Sequence, residues 1–97
     1  MTHRTRTRTE IISQILRVAN GGDGVTKTKI MYGVFLSHGL MKELMMILTK
    51  NGLLSYDLDG QRFKTTEKGL GFLETYNQMD DMIKAPPAAS EQHQQLI

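Results

Sequence analysis

At 97 residues, with 39% apolar and 23% charged side chains, the chain is long enough for one small domain with a modest core. It has no cysteine, which excludes a disulfide framework, a thiolate metal site and a thiol nucleophile. No apolar run is long enough to span a bilayer, and Met1 to Arg8 is too polar for a leader, so a cytoplasmic location is expected. The net charge of +2 is unevenly spread: residues 1–55 carry eight Lys or Arg against three acids, and residues 56–97 carry four against seven. The basic half suits an anionic partner.

Residues 1–8, an alternating Arg/Thr stretch, have nothing to bury and are expected to form a flexible basic arm. Arg4, Arg6 and Arg8 could reach a minor groove, although a tail that only adds electrostatic attraction is the simpler expectation. From Thr9 as cap, Ile11, Ile12, Ile15, Leu16 and Ala19 recur at helical spacing, and the run Asn20-Gly21-Gly22-Asp23-Gly24 ends that helix. Thr26 caps a second helix, Lys27 to about Phe35, with Ile30, Met31, Val34 and Phe35 as its buried stripe. Ser37 caps a third, running to about Lys50, with Met41, Leu44, Met45 and Leu48 on one face. Two short helices separated by a tight polar turn form a helix-turn-helix unit.

Asn51-Gly52 stops the third helix, and strand signals follow. Alternation sends Leu54 and Tyr56 to the face opposite Leu53. Asp59-Gly60 marks a hairpin turn, and Arg62-Phe63-Lys64-Thr65 returns with Phe63 inward and its basic neighbours outward. A hairpin directly after two short helices is the wing of a winged helix-turn-helix. Thr66 then caps a long helix, Glu67 to about Lys84, in which Leu70 and Leu73 are expected to seal the core. Phe72, Tyr76, Met79 and Ile83 recur at the 4-3-4 spacing of a coiled-coil seam, which points to pairing with the same helix of a second copy; one wide face folded back on the first helix is the other reading. Gly69 and Gly71 lie inside this helix and allow close packing. Ala85-Pro86-Pro87 ends it, and residues 85–97 are expected to form a disordered tail.

In order, Lys27-Thr28-Lys29-Ile30-Met31-Tyr32, Asn51-Gly52-Leu53-Leu54, Lys64-Thr65-Thr66-Glu67-Lys68-Gly69-Leu70 and Phe72-Leu73-Glu74-Thr75-Tyr76-Asn77 resemble the small archaeal winged-helix DNA-binding proteins. The closest are those of the 10a type, which dimerise through a long C-terminal helix. The resemblance covers about residues 8–84. It implies an α+β winged helix-turn-helix over residues 9–84, with three helices, a two-stranded wing and a fourth, dimerising helix. It also implies a double-stranded DNA partner and a role as transcriptional regulator or chromatin-associated protein.

On that reading Lys27 and Lys29 meet phosphate at the start of the second helix, and Arg62 and Lys64 do so from the wing. Ser37, His38 and Lys42 face the groove from the third helix, and Tyr32 joins the DNA-contacting set. Phe72, Tyr76, Met79 and Ile83 form the dimer seam. The chain departs from the resemblance at Gly39-Leu40, where similar proteins place polar residues. With Leu40, Met46 and Ile47 turned outward beside Glu43, this face counts against strong base-specific readout. It also supports a rival reading, a protein-interaction module that docks through an exposed Leu40-Met46 patch. Catalysis finds no footing: the histidines at 3, 38 and 93 are far apart, no metal-ligand spacing occurs, and no cofactor motif is present.

Overall fold

The computed structural model describes residues 6–84, so the expected arm at 1–5 and tail at 85–97 lie outside the described residues. The elements follow in the order α1 (Arg8–Ala19), α2 (Lys27–Val34), α3 (His38–Lys50), β1 (Leu54–Asp57), β2 (Arg62–Thr65) and α4 (Glu67–Lys84).

α1 begins earlier than Thr9. The Thr7 hydroxyl accepts the Glu10 amide at 3.0 Å, while the Glu10 carboxylate accepts the Thr7 amide at 3.4 Å. This reciprocal box satisfies two amides that a helix start leaves without partners. Residues 6–8 therefore belong to the folded domain and not to an arm.

The core gathers one face of each helix. Ile11, Ile15, Leu16 and Ala19 of α1 meet Ile30 and Val34 of α2, Met41, Leu44, Met45 and Leu48 of α3, Leu54 of β1 and Leu73 of α4. The spacing of these residues on each helix is the 3.6-residue period read as a buried stripe. Phe35 departs from it. It ends α2 in the left-handed conformation, φ 58°, which swings its ring off the stripe and leaves it 83% exposed.

The hairpin pairs antiparallel, Leu54 with Thr65 through Asp57 with Arg62. Its loop holds four residues: the Asp57 carboxylate accepts the Gly60 amide at 3.2 Å, and the left-handed position falls on Gln61, not on Asp59-Gly60. A third, one-residue strand completes the wing, since Val25 and Phe63 exchange amide-to-carbonyl bonds of 2.8 and 2.7 Å. Gly24 makes that contact feasible, with φ at +94° and a Cβ position only 2.7 Å from the Phe63 carbonyl oxygen. The buried Thr65 hydroxyl donates to the Leu16 carbonyl at 2.7 Å, which satisfies a carbonyl that the end of α1 leaves open.

Thr66 caps α4 as expected. Its hydroxyl accepts the Gly69 amide at 3.0 Å and donates to the Gly52 carbonyl at 2.6 Å, tying α4 to the end of α3. The helix comes so close to the chain at Leu53 that a Cβ on Gly69 would overlap the Leu53 carbonyl oxygen and the Thr65 methyl, whereas a Cβ on Gly71 would point into open space. The inward line of α4 thus runs through Gly69 and Leu73. Leu70 sits to one side of it, 41% exposed, and does not help to seal the core.

A candidate nucleic-acid interface

The helix-turn-helix pair is electrostatically unlike the rest of the fold. α1 and α4 carry Glu10 and Glu67 in their first turns, while α2 and α3 carry no acid there. A helix N-terminus presents amide hydrogens and about half a positive charge, so these two bare ends retain an attraction for anions that the other two have neutralised. Lys27 and Lys29 lie in the first turn of α2, both exposed; the Thr26 hydroxyl holds that turn by accepting the Lys29 amide at 3.2 Å.

The Val25–Phe63 bridge sets this turn against the wing. Between them lies a groove of about 520 Å³, lined by Thr26, Lys27 and Thr28 on the helix side and by Tyr56, Phe63, Gly60 and Gln61 on the hairpin side. Arg62 and Lys64 both project outward with Phe63 turned in. They are not equivalent, because the Arg62 guanidinium donates to the Gly24 carbonyl at 3.2 Å and is tethered to the α1–α2 loop. Tyr32 stands on the outer side of α2, 69% exposed.

On α3, His38, Lys42 and Met46 follow one another at four-residue intervals along the exposed side. The Ser37 hydroxyl is engaged as cap, accepting the Leu40 amide at 3.2 Å. Glu43 is paired with Arg8 at 3.0 Å. Both side chains are more than half exposed, so the pair adds at most about 1 kcal/mol to stability, but it places a cation beside the carboxylate on this face. Leu40 and Ile47 are half-buried, with Leu40 packed against the core, so the expected outward apolar patch contracts to Met46.

Two further corrections concern the N-terminal arginines, Arg4 lying outside the described residues. The Arg6 guanidinium donates to the Val34 and Phe35 carbonyls at 2.8 and 3.2 Å and to the Gln14 side chain at 2.6 Å. It closes the C-terminus of α2, a role that periodicity cannot signal, and neither it nor Arg8 is a loose groove-reaching arm.

The seam residues of α4 divide. Phe72 and Tyr76 are half-buried, their rings stacked at 6.4 Å. The Arg17 guanidinium of α1 lies 5.9 Å from the Tyr76 ring and donates to the Asn77 side chain at 2.7 Å. Met79 and Ile83 are exposed, and with them Met82, which the 4-3-4 spacing did not include. Among the described residues no group of three or more His, Asp or Glu could hold a metal, and no helix is long and apolar enough to cross a membrane.

Three helices, a two-stranded wing and a closing helix define a winged helix, and residues 5–84 match the winged helix-turn-helix family model. The chain belongs to that family. Its fold is also that of Sso10a-2, described as a DNA-binding protein from Sulfolobus solfataricus: the two structures superpose with a TM-score of 0.71 over 95% of this chain and 97% of the other, at 22% sequence identity. No curated protein matches the sequence significantly.

Proposed function

We propose that this chain is a non-enzymatic, double-stranded DNA-binding protein that acts as a homodimer in transcriptional regulation or chromatin organisation in the cytoplasm. The observation that carries the reading is the pair of acid-free N-termini at α2 and α3, with Lys27, Lys29 and Lys42 beside them and the wing set against the first. Lys27, Lys29 and Lys64 grip phosphate, with Arg62 contributing from its tethered position. His38, Lys42 and the donor end of Ser37 enter the major groove from α3, and Tyr32 flanks the backbone contacts. The description of Sso10a-2 as a DNA-binding protein supports the same reading. With few polar side chains for base edges on α3, affinity rests on phosphate contacts, so sequence preference is weak and salt dependence steep.

The dimer forms through the second half of α4, where Met79, Met82 and Ile83 stand clear of the domain and Phe72 and Tyr76 continue the same apolar line. A dimer would present two α3 helices to one duplex. The protein-module reading loses ground because Leu40 packs against the core and Ile47 is half-buried, which leaves no continuous exposed patch on α3.

Fluorescence anisotropy with a random-sequence duplex of about 25 base pairs tests the reading. Binding that weakens steeply between low and moderate salt is expected; no binding even at low salt overturns it.

A further inference from the structure

The groove beside the wing offers more aromatic surface than phosphate contacts use. Tyr56 and Phe63 are cross-strand partners with ring centroids 4.6 Å apart at 40°, and both line it opposite Lys27. Thr28, on the helix wall of the groove, lies one turn before Tyr32 on the same side of α2, so the groove leads onto an exposed ring. Phe35, at the end of α2 and beside α1 rather than the wing, is also exposed and held in a left-handed conformation that is unfavourable for a bulky residue. Core packing accounts for neither Tyr32 nor Phe35.

Rings displayed beside cations have one matching ligand among nucleic acids. In a duplex the base faces are stacked on each other and only their edges are presented, so a ring gains little from them. An unpaired base offers its whole face, and stacking on aromatic side chains is how proteins hold single strands without reading their sequence. The groove volume of about 520 Å³ lies within the range of sites that enclose small ligands.

We propose that the wing groove and the outer face of α2 bind single-stranded DNA, with one unpaired base against the Tyr56–Phe63 wall, a neighbouring base on Tyr32, and the intervening phosphates on Lys27 and Lys29. This activity goes beyond duplex binding and does not depend on it.

The test is anisotropy of the full chain with a labelled thymidine oligonucleotide of roughly 15 nucleotides, an abasic strand of equal charge, and a duplex of about 25 base pairs. The thymidine strand is expected to bind at least about fivefold more tightly than the abasic strand. Tyr32→Ala and Tyr56→Ala should each remove about fivefold or more of that affinity, while Tyr56→Phe retains it and the duplex affinity of the two Tyr56 variants changes less than about twofold. Tyr32 is exposed, so its variant tests stacking without a folding defect. Equal binding of thymidine and abasic strands, or an unchanged affinity in Tyr32→Ala, overturns the inference. Duplex binding without thymidine-strand binding overturns it and leaves the proposed function standing; the converse overturns the duplex reading alone.

Discussion

The two halves of α4 are built from similar residues and meet opposite surroundings. In the first, Gly69 touches the chain at Leu53 and Leu73 is buried in the core. In the second, Met82 and Ile83 are each 78% exposed. Leu73 lies on the face turned to the core, whereas Phe72, Tyr76, Met79 and Ile83 form a second apolar line along the helix, about 27 Å long, that the domain covers only at its beginning. The first half closes the fold. The second supplies a surface that makes energetic sense against a second copy, which is the basis of the dimer proposed above.

Substitutions can break this contrast, and they should do so in a definite order. Leu73→Ala leaves a hole in the core and is expected to cost about 2–5 kcal/mol in chemical denaturation. Gly69→Ala is sharper, because two effects disagree in sign. Helix propensity alone would stabilise by about 1 kcal/mol. The overlap with the Leu53 carbonyl oxygen and the Thr65 methyl should outweigh that and give a net loss of about 1–3 kcal/mol. A gain in stability would mean that α4 does not approach the hairpin as closely as described. Thr66→Ala removes both the cap and the bond to the Gly52 carbonyl, with a loss of about 0.5–2 kcal/mol.

In the second half the expectation reverses. Met82→Asp with Ile83→Asp should shift light-scattering mass from dimer to monomer, while the intrinsic stability of the monomer moves by no more than about 0.5 kcal/mol. An unchanged mass would remove α4 from the dimer interface.

Much of this arrangement was legible in the sequence wherever a period or a cap carries it. The buried stripes of α1 and α3, the caps Thr26, Ser37 and Thr66, and the order of helices and hairpin all follow from local rules. The misses have physical causes. Thr7 and Thr9 are both acceptable caps, and Glu10, three residues after Thr7, was the signal that decides between them. Phe35 fails because helical spacing no longer holds once the backbone turns left-handed. Leu70 fails because Gly69, by allowing contact, takes the innermost place on α4. The bonds from Arg6 to the α2 carbonyls span 28 and 29 residues, and no local pattern announces them. At the candidate interface the residue types were legible, but the tether on Arg62 and the inward lean of Leu40 depended on tertiary neighbours.

The claim that phosphate contacts from the first turn of α2 dominate DNA binding is tested most directly by comparing salt slopes. Log affinity for a random duplex would be measured against log salt concentration for the natural chain and for Lys27→Gln with Lys29→Gln. Each phosphate contact removed lowers the slope by about one, so the double variant should bind more weakly and with a slope shallower by about two. Equal slopes would mean that these lysines do not touch phosphate, and that the face formed by α2 and the wing is not where the duplex lies.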